Sequence, residues 1–155
     1  MMNPGDIPLV RTVLVRIEER MPDPRSLKGL SEVEADLMSA VTAKGIIDNG
    51  GLVHWFEGMD RAKTLRAAAA FDRMGEPSAA EAMRQGLRAF PGGVPSPQHV
   101  REHRDQLRET FWPCDQTVWD LDFYAAAATY IRARTPDLLS TDPELVKVAP
   151  ALRPQ

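Results

Sequence analysis

An all-α fold is what this sequence predicts, on three observations. Apolar residues recur every three to four positions along most of the 155 residues, which is the period of one helix face. The breaks between these stretches carry Gly, Pro and side chains suited to capping helix ends. No stretch alternates apolar and polar residues with a period of two between turn signals, so no strand is expected. At roughly 100 to 200 residues per domain the length leaves room for one. The expectation is a single compact domain of about six helices over residues 1–134, with a central antiparallel helical hairpin, followed by a proline-containing tail over 135–155.

Asp6 is placed to cap a first helix with Pro8 in its opening turn, and Val10, Val13 or Leu14, Ile17 and Met21 form its apolar stripe before Met21-Pro22-Asp23-Pro24 stops it. Ser31 and Glu34 have the spacing of a capping box. Val33, Leu37, Val41, Ile46 and Ile47 give helix two, which Asn49-Gly50-Gly51 ends. Leu52 to Phe56 reads as one or two helical turns. Asp60 caps a third helix with Leu65, Ala68, Phe71 and Met74, and Gly75 is suited to the left-handed conformation that closes helix C-termini. Ser78 and Glu81 read as a second capping box, opening a helix with Ala80, Met83, Leu87 and Phe90. The turn between these two helices is so short that they must be antiparallel neighbours. Ser96 with Pro97 opens helix five, carrying Val100, Leu107 and Phe111. Asp120 or Asp122 starts the last helix, with Phe123, Tyr124, Ala127, Ala128 and Ile131 inward. Prolines at 136, 143, 150 and 154 predict a tail that lies on the surface or frays.

Composition narrows the function. With 43% hydrophobic and 26% charged residues the chain has the make-up of a soluble globule. A net charge of −3 lacks the basic character of a phosphate-gripping protein, so no direct nucleic-acid binding is expected. No apolar run reaches the roughly 18 residues that span a bilayer, and the opening residues lack a signal-peptide pattern. The single cysteine, Cys114, cannot form an internal disulfide; a cytoplasmic location is expected. Charge is uneven: residues 1–60 hold ten acids against six bases, and residues 61–110 hold nine bases against six acids.

Few residues suggest catalysis. His99-Val100-Arg101-Glu102-His103 matches the H-x-x-E-H pattern of inverted zinc proteases, in which two histidines on one helix face hold zinc and the glutamate polarises its water. Arg101, Arg104 and Arg108 crowd the same helix and no clear third ligand follows, so a solvated polar face is expected and no metal or cofactor. Cys114, beside aromatics, reads as a small buried hydrophobe. Asp115, Asp120 and Asp122 do not call for a glycosidase pair, since two of them serve as competing caps. The chain is expected not to be an enzyme; the alternative is a small enzyme using His99 and His103 or Cys114.

The most informative segment is Asn49-Gly50-Gly51 followed by Trp55-Phe56, where two glycines permit a reversal that turns the aromatics onto the core. Together with Arg73-Met74-Gly75, Ala82 through Ala89-Phe90-Pro91-Gly92-Gly93, Leu121-Asp122-Phe123-Tyr124 and Tyr130-Ile131-Arg132, it resembles the DNA mimic protein 19 family of bacterial domains over about residues 31–134. The resemblance implies an all-helical domain without a known active site. That family takes its name from a member whose acidic surface imitates duplex DNA and occupies a DNA-binding protein. Duplex DNA carries a charge about every 1.7 Å, whereas this chain is nearly balanced, so the architecture carries over more firmly than the mimicry.

The expected function is therefore a non-enzymatic protein-binding module that regulates or sequesters a DNA-binding or other basic protein through an acidic face. Glu18, Glu19 and Asp23 at the end of helix one and Glu32 and Asp36 on helix two are its expected contacts. An immunity or antitoxin-like protein using the same acids is the nearest variant. The partner is a protein, not a membrane, and the chain is expected to be a monomer or a weak homodimer anchored by Trp112 or Trp119, placed in a polar segment between helices five and six.

Overall fold

A computed structural model describes residues 3–153, and among these every regular element is helical. The helices are α1 (Asp6–Arg20), α2 (Glu32–Gly58), α3 (Arg61–Arg73), α4 (Pro77–Arg88), α5 (Pro97–Glu102), α6 (Arg104–Trp119), α7 (Phe123–Ala133), α8 (Thr135–Thr141) and α9 (Leu145–Val148), with short 3-10 turns at Pro91–Gly93 and Pro150–Leu152. Their contacts form two units. One holds the described residues up to Met38 and those from Asp122 on, and the other runs from Ser39 to Leu121, with α2 crossing from the first to the second.

In the first unit α1 packs on α7 and α9, and α8 joins α7 to α9. Val10, Val13 and Ile17 on α1 are fully buried, as their spacing predicts. Ser31 and Glu34 form the reciprocal capping box: the Glu34 amide donates to Ser31 Oγ at 3.2 Å and the Ser31 amide to Glu34 Oε1 at 3.0 Å. Asp6 does not cap α1 from outside. It is the first helical residue, it takes the Asn3 amide at 3.0 Å, and Arg132 lies 2.9 Å from its other oxygen. The segment read as a surface tail forms α8 and α9, with Leu138, Leu145 and Leu152 each 1% exposed. Pro136 lies in the first turn of α8 and Pro150 opens a 3-10 turn rather than fraying the chain, because proline is tolerated in a first turn, where its missing donor would be unpaired anyway; Pro154 lies outside the described residues.

The second unit is built around α4, which packs on α3 and α6. Gly75, at φ +79°, closes α3, and only Met74, Gly75 and Glu76 separate α3 from α4. Ser78 lies inside α4 and caps nothing, because Pro77 starts the helix one residue earlier. Helix five is two helices, α5 and α6, divided at His103. α6 then runs through Pro113 to Trp119, so Trp112 and Trp119 lie on a helix rather than in a polar connection. The stripe Leu107, Phe111, Cys114, Asp115 and Val118 is buried on both sides of the proline and keeps the helix going. These divisions, with α8 and α9, give nine α-helices among the described residues in place of about six.

Candidate functional site

The acids expected to form a binding face fall in the first unit. Glu18 and Glu19 are exposed in the last turn of α1, and Asp23 follows, accepting the Arg25 amide at 2.9 Å. Arg20 reaches from the same turn to the buried Glu34, which ties the end of α1 to the first turn of α2, where Glu32 is exposed. Thr141 also donates to Glu34 at 3.1 Å. Burial alone would raise the Glu34 pKa, but the Arg20, Ser31 and Thr141 hydrogen bonds outweigh it and hold the carboxyl below its ordinary value.

Asp36 is not part of this face. It is fully buried, beside Val33, Leu37 and Ala40 on one side of α2, and its carboxylate accepts the Tyr130 hydroxyl at 2.6 Å. Spacing four residues after Glu32 does share a helix side, but α2 turns that side inward by its second turn. What remains is four exposed acids, Glu18, Glu19, Asp23 and Glu32, interleaved with the exposed Arg25 and Lys28.

The glycine-aromatic motif organises the second unit. Asn49 and Gly50 are helical and exposed, and the expected helix stop is a break within α2 at Gly51, with φ +73° and ψ −176°. The next amide, Leu52 N–H, donates to Asp115 Oδ1 at 2.8 Å, so an α6 carboxylate restarts α2 after the break. A Cβ on Gly51 would stand 2.7 Å from Asp115 Oδ2. Burial pushes the Asp115 carboxyl up, against the lowering effect of the Leu52 hydrogen bond. Trp55 and Phe56 then point inward as expected. The Trp55 indole donates to Thr64 Oγ1 at 2.9 Å, and Phe56 meets Phe90 edge-on at 4.9 Å and Phe111 at 5.6 Å. On the other side Lys44 Nζ donates to the Val118 and Trp119 carbonyls at 2.8 and 3.0 Å, closing the end of α6, and the Trp119 indole donates to the Ile47 carbonyl at 2.8 Å. Asp115 and Lys44 were missed from the sequence, since a charged residue in a helix shows nothing of the carbonyl or amide it will meet.

The groups weighed for catalysis separate. Cys114 is buried, its Sγ lies 3.6 Å from Gln85 Oε1, and it lines a groove of about 390 Å³ with Pro77, Glu81 and Pro113. Burial first, then the charges of Asp115 and Glu81, pushes its thiol up, away from the thiolate that a nucleophile requires. His54 is exposed. His99 and His103 lie together, ring centroids 4.4 Å apart, but line a different groove, and Glu102 accepts the Gln98 amide at 2.8 Å. No group of three or more metal-ligating side chains is found among the described residues.

Against known families, the model of the DMP19-like proteins matches residues 28–134. The chain belongs to the DMP19-like family. The matched stretch contains the whole glycine-aromatic motif, the α3–α4 pair and α5 to α7, and it leaves out α1, α8 and α9. Glu32 lies within the DMP19-like region, whereas Glu18, Glu19 and Asp23 precede it. No curated protein and no solved structure matches the chain. No described helix is long and apolar enough to cross a membrane.

Proposed function

We propose that this DMP19-like chain is a non-enzymatic binding module that regulates or sequesters a basic protein through Glu18, Glu19, Asp23 and Glu32. Family membership supports a protein-binding role. The observation that carries the choice of surface is the placing of Glu18 and Glu19 in the last turn of α1. A helix C-terminus is the negative end of the helix dipole, where carboxylates cost about 0.3 to 1 kcal/mol each and bases would be favoured. Two adjacent acids there oppose the helix dipole, and although Arg16 offsets part of this for Glu19, both side chains remain exposed to a partner.

The charge density is far below that of a nucleic acid, because Arg25 and Lys28 interrupt the four acids. The partner is accordingly a protein with a small basic patch, reached with help from electrostatic steering, and not one whose whole DNA-binding groove is filled. Affinity capture from the source cells with the wild-type chain and with Glu18→Lys/Glu19→Lys/Asp23→Lys tests this. A basic protein recovered by the wild type and lost by the triple variant is the expected result. Identical recoveries, or no specific partner, would overturn the reading. If a secreted toxin is the protein captured, the antitoxin-like variant of the same reading is the correct one. Adding duplex DNA to the capture separates simple binding from mimicry, since only a mimic is displaced from its partner by DNA.

A further inference from the structure

The histidine pair has no part in that reading, and its geometry points elsewhere. His99 stands in the last turn of α5, and His103 at the break before α6 has φ −126° and ψ 25°. Their rings are tilted 39° to each other with centroids 4.4 Å apart. His99 also meets Phe90 edge-on at 5.4 Å, which fixes one ring of the pair. Both histidines line an open groove of about 470 Å³ together with Phe90, Gln106 and Thr110. Within the described residues neither imidazole takes part in a hydrogen bond. Glu102 is drawn to Gln98, so the arrangement of a zinc protease, with a carboxylate over a metal-bound water, is not formed.

What is formed is a pair of adjacent imidazoles in one groove, close enough for both to reach a single ion. With metal–nitrogen bonds of about 2.0 to 2.1 Å, two imidazole centroids stand roughly 4.5 Å apart at a right-angle bite and about 5.2 Å apart at a tetrahedral one. The observed 4.4 Å is of the size that two imidazoles on one ion require. Imidazole donors suit Cu²⁺ and Ni²⁺, which bind nitrogen more tightly than the earlier divalent ions, and a donor set without carboxylates disfavours Mg²⁺ and Ca²⁺.

We propose that His99 and His103 form a two-imidazole chelate for Cu²⁺ or Ni²⁺, with water in the remaining coordination positions. An ion held there braces the joint between α5 and α6, because each helix supplies or borders one ligand. The site is independent of the acidic surface and stands or falls without it.

Calorimetric titration of the untagged full chain with NiCl₂ tests the proposal, with electron paramagnetic resonance of the Cu²⁺ adduct to count nitrogen ligands. One equivalent is expected to bind, with hyperfine structure from two nitrogens. His99→Gln and His103→Gln are each expected to weaken Ni²⁺ binding at least tenfold, while His54→Gln leaves it unchanged. His103 is exposed, so its variant should keep the wild-type circular dichroism, which separates loss of a ligand from loss of fold. Absence of binding by the wild type, wild-type affinity in either the His99→Gln or the His103→Gln chain, or a tenfold loss in His54→Gln would each overturn the proposal.

Discussion

Three buried carboxylates in this protein answer to opposite forces, and each has a measurable signature. Asp115 holds its proton more tightly in the fold than in the unfolded chain, because burial outweighs its bond to Leu52. The stability linked to it is present below the ordinary value of 3.8 and is lost as pH rises through the raised folded value. Asp115→Asn keeps an acceptor for Leu52 and removes the charge. Denaturant titrations should find it as stable as wild type or more so at pH 7, with the difference closing in acid; a loss at pH 7 would contradict the assignment. Glu34 has the reverse sign. Its lowered folded value gives stability that is present above the ordinary 4.5 and is lost as pH falls through the folded value. Glu34→Gln should therefore flatten the acid limb of the same titration. Asp36 depends on Tyr130, and Tyr130→Phe leaves a buried carboxylate short of a donor, at an expected cost of about 1 to 3 kcal/mol in denaturant melts. None of this burial was readable from residue type, since acids are mostly exposed and the Tyr130 hydroxyl that makes Asp36 tolerable lies 94 positions away in the chain.

Between turns and helices, most local signals were legible and long-range ones were not; Asp6 and Ser78 are the local caps that did not form. The Ser31–Glu34 box, the Asp60, Ser96 and Asp122 caps and the Gly75 closure are all formed, because each depends on partners within four residues. The Gly51 break restarts as helix only because Asp115 from α6 receives the Leu52 amide, and that partner is 63 positions distant. Gly51 and Gly75 both have positive φ, but Gly51, with ψ −176°, lies in a region essentially confined to glycine and is crowded by Asp115, whereas Gly75 is open. Gly75→Ala should cost about 1 kcal/mol from conformation alone. Gly51→Ala should cost clearly more, since the methyl also meets the carboxylate, and equal losses in thermal melts would contradict the crowding. α6 runs through Pro113, a residue that usually stops a helix, because the buried stripe on either side continues past it. The C-terminal prolines pointed to a surface tail, but Leu138, Leu145 and Leu152 are buried. Leu145→Ala, at 1% exposure, should destabilise by about 2 to 5 kcal/mol, which a surface tail would not show.

Family membership and helical class follow from motifs spread over most of the chain, but a binding surface is a property of exposed charges that no helical pattern specifies. Of the five acids expected on a binding face, four are exposed at the tied ends of α1 and α2 and Asp36 is buried. Self-association is a separate question. Trp112 is 53% exposed and meets Trp119 edge-on at 5.4 Å, an apolar pair on α6. Light scattering over a salt series should find a monomer, or a weak dimer that survives high salt, because exposed ion pairs contribute only about 0 to 1 kcal/mol each. A dimer that dissociates as salt rises would instead be held by charge. The central claim, that Glu18, Glu19 and Asp23 hold a basic protein, is tested most directly by calorimetry with the captured partner. The Glu18→Lys/Glu19→Lys/Asp23→Lys chain should bind at least tenfold more weakly than wild type, while Asp105→Lys, an equally exposed acid on α6, binds as wild type does. Equal affinity for the wild-type and triple-variant chains would contradict it.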